Sequence, residues 1–451
     1  MGEDAIKEAV KNPVPASRSV NSVAHEILER HDLVADETGA VYRYENGPWR
    51  RLSDIALIRL ARDFDGRGTS SHRRREIVDY LRATAYEADL TWGRVADFEV
   101  GCTNGIVDVR SGAVGPHKPE HYLERVIPHV YDPTAQAPVW HQALADWFGD
   151  AEGDGSIEAL QEFFGYLALS HAKYKKALLL YGPADCGKSR IVDAAMGLVG
   201  SRYTCQLSVE FMDDPTRRAV IKGKALNVAT ELPMDALIAD SGFKTMVSTE
   251  EPLLIDEKYR PAEMYVPTAK HVIATNHLPR INDRTEATFN RILLIPLLTS
   301  ILPERQDRQL QAKISAELPG VLAWAIEGAK RLVGRDGEWR EPEQGRLFMA
   351  EYRDEQNPMR QFLREDCVRI DGAAVPLTTL TKQFNQWNQG ARKASVRAVA
   401  TMLRAAGQAS SIRTVRMNRR TMKALVGWRL CLWSDAPDEI NLAAAETYIQ
   451  E

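Results

Sequence analysis

The sequence predicts an α/β fold built around a parallel sheet, and two observations support that prediction. Four short apolar segments, 177–181, 225–230, 271–275 and 292–296, are spaced along the chain with helical stretches between them. Such alternation is typical of parallel strands joined by helical crossovers. The first segment is also followed by a glycine-containing turn and a helical apolar pattern, which is the order strand, loop, helix.

The turn after the first segment reads Gly-x-x-x-x-Gly-Lys-Ser over residues 182–189. In such a loop the backbone N–H groups and the next helix N-terminus direct partial positive charge at one point, which suits a nucleoside triphosphate. Lys188 is expected to reach the β- and γ-phosphates and Ser189 to ligate Mg²⁺, so ATP with Mg²⁺ is the expected ligand. The predicted nucleotide-binding residues are Gly182, Pro183, Ala184, Asp185, Cys186, Gly187, Lys188, Ser189 and Arg190.

Length and composition suit a multidomain globular protein. The chain has 451 residues, of which 44% are hydrophobic and 27% charged. No apolar run approaches the roughly 20 residues that a membrane span needs, and the N-terminus lacks the apolar core of an export signal. The five cysteines form no C-x-x-C pair, which favours a reducing compartment over a disulfide framework or a zinc site.

Charge is unevenly distributed along the chain. The net charge is −4, but the window 372–434 contains eleven Lys or Arg and no Asp or Glu, which leaves the rest of the chain near −15. Such asymmetry between parts of one chain is typical of nucleic-acid binding. We therefore expect DNA to be a partner of the C-terminal part.

Changes in composition predict several parts. The expected parts are a mostly helical region at 1–90, a small β-rich and helical part at 91–150, an ATPase domain at 151–335, a basic domain at 346–434 and an acidic tail at 435–451. The polar, glycine-containing stretch 334–345 is interpreted as a linker. Within the first part, residues 41–52 predict a hairpin around Asn46-Gly47.

Two N-terminal motifs have competing interpretations. Asp63-Phe64-Asp65 imitates a catalytic D-x-D, but its position favours the end of a helix. The cluster Arg73-Arg74-Arg75 is either a solvated helix face or a DNA contact, and the first is favoured because isolated basic triplets on helices are common.

Polar residues end the second and third apolar segments. Glu231 is placed to polarise or deprotonate the water that attacks the γ-phosphate. Many ATPases carry an acidic pair here, whereas Thr230 precedes Glu231, so the candidate Mg²⁺ ligands are Ser189 and Glu231 together with phosphates and water. Asn276 is a candidate to hold that water or to sense the γ-phosphate, and the alternative is a simple turn residue.

Arg291 stands directly before the fourth apolar segment. Phosphoryl transfer needs a guanidinium to stabilise the developing charge, and supplying it from a neighbouring subunit would couple hydrolysis to assembly. Arg280 and Arg284 compete for this role.

The stretch 243–270 is expected to contain a hairpin whose tip lies around 256–260. Lys258, Tyr259 and Arg260 at that tip suit a phosphate backbone and a base or sugar face. The alternative is an ordinary charged loop.

This succession of motifs within about 120 residues resembles the superfamily 3 helicases, AAA+-type hexameric motors of viruses and mobile elements. Residues 247–297 are similar to the phage and plasmid primase–helicase branch, and residues 104–140 and 160–170 resemble the domain that precedes the motor in that branch. The resemblance implies an AAA+-type motor that moves 3′-to-5′ on single-stranded DNA as a ring, usually a hexamer, in the cytoplasm of a bacterial host. It departs from the family pattern at Asp185 and Cys186 inside the loop.

The same resemblance implies a role for each candidate residue. Lys188 and Ser189 would bind nucleotide and metal, Glu231 would act in catalysis and Asn276 in sensing. Lys258 would face DNA in the central channel, and Arg291 would be the arginine finger. The N-terminal primase domain of longer relatives is expected to be absent here, and a separate primase or initiator is an expected partner.

The basic C-terminal part contains three helix-like pieces, 357–368, 376–389 and 395–407, and a potential hairpin at 412–433. Helices followed by a hairpin favour a winged-helix-like module, in which a helix enters a groove and the wing follows phosphates. Arg397, Arg404, Arg419 and Arg420 are the expected DNA contacts. The alternative is a basic helical domain that only packs on the motor.

The leading functional hypothesis is a replicative DNA helicase of a phage, plasmid or satellite element that acts on single-stranded and forked DNA. The main alternative is an initiator that melts origin DNA without processive unwinding. A further alternative is an ATP-dependent signalling or defence switch, which would be a monomer at rest without DNA-stimulated turnover. A small-molecule kinase is poorly supported, because it needs neither an arginine supplied in trans nor an acid-free basic module.

Overall fold

The computed structural model of the protein describes residues 18–431, apart from 67, 150–152, 231, 235, 239, 249–250, 260, 282–285, 389–392 and 418–419. Several predicted features lie outside the described residues: Glu231, Arg260, Arg284, Arg419 and the tail 435–451. No helix within the described ranges is long and apolar enough to cross a bilayer.

The N-terminal unit combines helices with a small antiparallel sheet. Its elements are α1 (Val20–Arg30), β1 (Leu33–Ala35), β2 (Val41–Tyr44), β3 (Trp49–Arg51), α2 (Asp54–Asp65) and α3 (Ser71–Thr84). Each helix follows a serine, at 19, 53 and 70, whose hydroxyl accepts a backbone N–H of the first turn. The predicted hairpin is confirmed by the pairing of β2 with β3, and Asn46 and Gly47 both take positive φ between them.

The part before the central sheet has a second small sheet and two helices. Its elements are β4 (Glu99–Cys102), β5 (Gly105–Asp108), β6 (Val114–Gly115), α4 (Pro138–Phe148) and α5 (Ser156–Ala168). The three strands are antiparallel and hydrogen-bonded in chain order.

The central part alternates strands and helices as the sequence predicts. Its elements up to the second hairpin are β7 (Ala177–Tyr181), α6 (Lys188–Val199), β8 (Thr204–Gln206), α7 (Pro215–Arg218), β9 (Leu226–Thr230), β10 (Leu237–Ile238), α8 (Asp240–Ser248), β11 (Leu253–Ile255) and β12 (Glu263–Tyr265). They are followed by β13 (Lys270–Thr275), β14 (Arg280–Ile281), α9 (Glu286–Phe289), β15 (Ile292–Pro296), α10 (Leu310–Ala316), α11 (Leu318–Gly334) and α12 (Glu343–Gln356).

Five of these strands form one parallel sheet in the order β15-β7-β13-β9-β8. Both faces of the sheet are covered, which explains why its strands read as continuous apolar runs. Leu178 and Leu180 of β7 point into one core, whereas Leu179 points into the other. The α/β class predicted from the alternation is therefore confirmed.

One of these two cores also contains residues from the part before the sheet. Val100, Val107, Trp140 and Phe164 belong to the same buried cluster as Leu178. The β4–β5–β6 sheet and helices α4 and α5 thus share a core with the parallel sheet.

The segment expected to be a linker is packed instead. Trp339 contacts Phe163 and Tyr166, and its indole N–H donates to the carbonyl of Tyr174 at 2.9 Å. Helix α12, which follows, contributes Tyr352 to the second core of the sheet. A separate C-terminal core therefore begins after α12, later than the expected 346.

The C-terminal unit consists of α13 (Pro358–Glu365), β16 (Cys367–Pro376), α14 (Leu377–Trp387), α15 (Val396–Ala405), β17 (Ile412–Met417) and β18 (Arg420–Leu430). The three expected helices and the hairpin β17–β18 are present. The sequence interpretation missed β16, which pairs with β18 to complete an antiparallel sheet in the order β16-β18-β17.

Candidate nucleotide site and nucleic-acid interface

The glycine-containing loop joins the end of β7 to the start of α6. Gly187 has φ 98° and immediately precedes the first helical residue, Lys188. A Cβ at Gly182 would lie 2.0 Å from the carbonyl oxygen of Leu297, and one at Gly187 would lie 2.5 Å from the indole of Trp147. Both positions therefore require glycine because the chain itself approaches so closely.

The Lys188 side chain is buried within this loop. Its ammonium donates to the carbonyl of Gly182 at 2.8 Å and to that of Pro183, and it lies 3.4 Å from the sulfur of Cys186. Cys186 in turn donates from its thiol to the Pro183 carbonyl at 3.1 Å. The ammonium is thus held by neutral groups, which an anionic ligand would replace with a stronger charge-assisted contact.

A cleft of about 1050 Å³ lies at the carboxyl ends of the parallel strands. Lys188 and Ser189 line it from the loop, and Thr230 and Asn276 line it from the ends of β9 and β13. Crevices at this edge of open parallel sheets are where α/β folds bind ligands. Glu231 directly follows Thr230 in the chain.

Within this cleft Ser189 and Asn276 are exposed. Neighbouring Thr275 is buried, and its hydroxyl donates to the His277 carbonyl at 2.7 Å, which shapes the turn that carries Asn276. Among the described residues, no group of three or more acidic, His or Cys side chains could hold a metal ion. The exposed Ser189 hydroxyl at the helix start is an oxygen donor of the kind that Mg²⁺ prefers.

Arg291 lies at the other end of the sheet. It precedes β15, whose first residue Ile292 pairs with Ala177 at the beginning of β7. The Arg291 guanidinium donates to the Ala287 carbonyl at 2.7 Å, and its Nε–H is buried without an acceptor among the described residues. Arg280 is exposed on β14 and does not line the cleft.

One wall of the cleft was not predicted from the sequence. This wall consists of α4, with Trp147 against the loop, and of the segment after β15. It brings Arg305, Arg308 and Lys313 to the cleft. The basic residues in 303–313 were the available signal, but they belong to no recognised motif.

The predicted hairpin is confirmed by the antiparallel pairing of β11 with β12. At its tip Tyr259 is 92% exposed with φ 67°, and the Lys258 ammonium lies 5.1 Å from the centre of its ring. The base of the hairpin is held by Lys222, which forms an ion pair with Glu263, and by Arg218, whose Nε donates to the Leu254 carbonyl at 2.6 Å. The tip thus presents a cation and an aromatic ring on an anchored arm.

In the C-terminal unit the predicted contacts Arg397, Arg404 and Arg420 are all exposed. Arg397 and Arg404 are two helical turns apart on α15, so they share a face. Leu403 of the same helix is buried in the unit's own core. This surface offers separated positive charges, the arrangement that phosphate contacts require.

The two N-terminal motifs have structural roles. Asp63 and Asp65 end α2, as the helix-end interpretation predicts. Arg73 binds the Asp65 carboxylate at 2.7 and 2.9 Å, which lowers the pKa of that carboxyl group. Arg74 donates to the Thr69 carbonyl, whereas Arg75 is exposed, so two of the three arginines bind within their own unit.

Two basic side chains, the buried Lys270 and the partly buried Arg125, lie where the part before the sheet meets the amino end of β13. Lys270 donates to the Leu169 carbonyl, and burial, with the nearby charge of Arg125, lowers the pKa of Lys270 well below its usual value. Arg125 donates to Ser170, Lys224 and Thr268, so it joins the two parts of the shared core.

Two family models match the chain. Residues 25–149 match a family described as D5 N terminal like, and residues 180–291 match a family of unknown function, DUF5906. Neither model covers half of the chain.

Solved structures of the NrS-1 C-terminal region have a similar fold. One apo structure superposes with a TM-score of 0.55 at 12% identity over 91% of this chain and 100% of that one. Another gives 0.53 at 12% identity over 90% and 98%. At this identity the likeness concerns the fold alone.

Proposed function

We propose that this protein is an ATP-dependent DNA helicase that acts in replication of a phage, prophage, plasmid or satellite element. One observation carries the proposal: Lys188, Ser189, Thr230 and Asn276 line a single cleft at the carboxyl edge of a parallel sheet. The family and fold likenesses support the replication context.

The loop and its helix support the proposed binding of ATP. The triphosphate would lie at the start of α6, where backbone N–H groups and the helix dipole favour negative charge. Lys188 would exchange its carbonyl partners for the β- and γ-phosphates, and Ser189 would ligate Mg²⁺, which neutralises charge on the transferring group. Glu231 would orient or deprotonate the attacking water, and Asn276 would contact that water or the γ-phosphate.

Hydrolysis would require a second copy of the chain. Arg291 is separated from the loop of its own protomer by the length of the parallel strands, so it would serve a neighbour's cleft as the arginine finger. Repeating this head-to-tail contact closes a ring, for which we propose a hexamer.

DNA would be moved by the hairpin tip. Lys258 would contact the phosphate backbone and Tyr259 would stack on a base or sugar, as would suit a strand in a central pore. Movement 3′-to-5′ is proposed from the family resemblance, and Arg260 would add a further cation. The basic C-terminal unit, through Arg397, Arg404, Arg419 and Arg420, would hold DNA near the ring.

Strand displacement tests this proposal. The full chain is mixed with ATP, Mg²⁺ and a forked duplex that carries a 3′ single-stranded arm, and release of the labelled strand is followed. The wild type is expected to release it, and Lys188→Ala is expected to release none. The helicase proposal would be refuted if the wild type released no strand and if DNA left its rate of ATP turnover unchanged.

An initiator that melts origin DNA remains the second candidate, and the exposed basic surface of the C-terminal unit supports it. Such a protein would distort duplex DNA, detectable by permanganate reactivity of thymines, without displacing the strand of a long fork. A separate primase would then act after either activity.

A further inference from the structure

The cleft contains two arginines whose charges are unpaired. Arg305 and Arg308 line it from the segment that follows β15, and both are exposed. Among the described residues neither guanidinium has an ion pair or a side-chain hydrogen bond. Lys313, the third cation of this wall, differs because it lies 2.6 Å from the Asp307 carboxylate.

Arg190, near the start of α6, is also paired. Arg190 is 3.3 Å from the carboxylate of Asp193. Lys188, Arg305 and Arg308 are therefore the cleft cations that no carboxylate neutralises among the described residues. Three such charges facing one cleft suit a ligand with several negative charges.

The segment carrying these arginines is hydrogen-bonded to the glycine-containing loop. The Leu297 N–H donates to the Tyr181 carbonyl at 2.8 Å, and the Ile301 N–H donates to the Asp185 carbonyl at 2.9 Å. Between them the Ser300 hydroxyl donates to the Ala184 carbonyl at 3.0 Å. These bonds hold the segment beside the loop along its length.

The backbone around the two arginines is also ordered. Pro303–Arg305 form a single 3₁₀ turn, and the Gln306 amide donates to the Ile301 carbonyl at 3.1 Å. The Asp307 carboxylate accepts the Gln309 N–H at 2.8 Å before α10 begins. The Arg305 and Arg308 side chains therefore extend from a positioned backbone, which lowers the entropy cost of binding an anion.

We infer that Arg305 and Arg308 form a second phosphate subsite, which binds the polyphosphate of the nucleotide held by Lys188 in the same chain. This inference rests on the proposed nucleotide site and extends it. Guanidinium groups match phosphate oxygens through paired N–H donors, whereas the Lys188 ammonium acts as a single point charge. With this subsite, one protomer alone supplies the residues that determine nucleotide affinity. The partner's Arg291 then acts on hydrolysis and not on binding.

Nucleotide titration of the full chain tests the subsite. A fluorescent ATP analogue is bound and then displaced by inorganic tripolyphosphate, which lacks the base and reports on phosphate contacts alone. Arg305→Ala and Arg308→Ala are each expected to weaken both ligands about tenfold, and the double variant about hundredfold, since each removes a charge-assisted contact. Arg305→Lys/Arg308→Lys is expected to lose less affinity than the double Ala variant, because lysine keeps the positive charge but lacks the paired N–H donors of the guanidinium.

Arg340→Ala/Arg346→Ala is the matched control. Both arginines are exposed and neither lines the cleft, so the affinity of this variant should equal that of the wild type. Thermal melting of each variant shows whether the fold is retained.

The outcomes separate the two ideas. If Lys188→Ala loses nucleotide while the double Ala variant binds both ligands normally, the subsite is wrong and the nucleotide site stands. If Lys188→Ala binds ATP like the wild type, the nucleotide site itself fails. A double variant that keeps nucleotide affinity but loses DNA affinity would assign these arginines to DNA and overturn the inference.

Discussion

Lys188 and Arg291 lie at opposite ends of one parallel sheet. Lys188 begins the helix after β7, whereas Arg291 precedes β15, which runs beside β7 in the same direction from Ile292↔Ala177 to Pro296↔Tyr181. Five residues of strand separate the two levels by about 16 Å. A cleft that needs both side chains therefore needs two protomers.

Arg291→Ala is expected to retain ATP binding and to lower ATP turnover by about 10³-fold, because the developing charge on the phosphoryl group loses its guanidinium. Phosphate release measures turnover, and nucleotide titration measures binding. Arg280→Ala, an exposed arginine outside the cleft, should turn over ATP normally. Normal hydrolysis by Arg291→Ala would remove it from the mechanism.

Mixing Arg291→Ala with Lys188→Ala should restore part of the lost turnover. In a mixed assembly, some clefts combine an intact Lys188 from one variant with an intact Arg291 from the other. The rate should rise as the two are combined and be highest near equal amounts. Turnover that stays at the sum of the separate variants would contradict sharing of the site between copies.

Tyr259→Gly is expected to keep basal ATP turnover and thermal stability and to lose most stimulation by single-stranded DNA. Glycine accepts the positive φ of this position, so only the ring is removed, and a stacked base is worth about 1–3 kcal/mol. Lys258→Ala should act in the same direction through a lost phosphate contact. Lys330→Ala, an exposed lysine on α11, is the control, and unchanged stimulation in Tyr259→Gly would exclude stacking.

Truncation should show where the basic unit begins. A chain ending at Gln356 keeps Tyr352 in the core of the sheet and is expected to retain ATP turnover while losing DNA affinity. The DNA affinity that remains should depend less on salt, which is measured as a shallower slope of log K against log salt concentration. A chain ending at Gly345 loses α12 and should melt at a lower temperature than the chain ending at Gln356. Equal melting temperatures of these two chains would contradict the packing role of α12.

Lys270→Met should change how stability depends on pH. Between the lowered pKa of native Lys270 and its usual 10.5, the unfolded chain holds a proton that the native chain lacks. The wild type therefore gains free energy of unfolding as pH rises, by up to about 1.4 kcal/mol per pH unit, and the Met variant lacks this gain. Urea unfolding from pH 7 to 9 should show the free energy of unfolding of the wild type rising relative to that of the Met variant. Parallel curves for the two proteins would refute the lowered pKa.

Features that depend on nearby residues were predictable from the sequence. The strands at 177–181 and 292–296 and the hairpin around Lys258 follow from runs of apolar residues and from turn residues between them. The order strand, loop, helix around Lys188 is likewise local. By contrast, β16 was missed because it contains Asp371 and Gly372 and pairs with a strand whose partner residues are 48 to 63 positions away.

The chain's own order of residue types was therefore enough to establish the α/β class, the glycine-containing loop and the exposed basic character of the C-terminal unit. Folding in three dimensions established which distant groups meet: Trp147 with Gly187, Trp339 with Phe163, and Arg305 and Arg308 with the cleft of Lys188. It also set Arg291 at the far end of the sheet. These contacts join segments tens to hundreds of residues apart, and they follow from strand order and core packing, which no local pattern of side chains encodes.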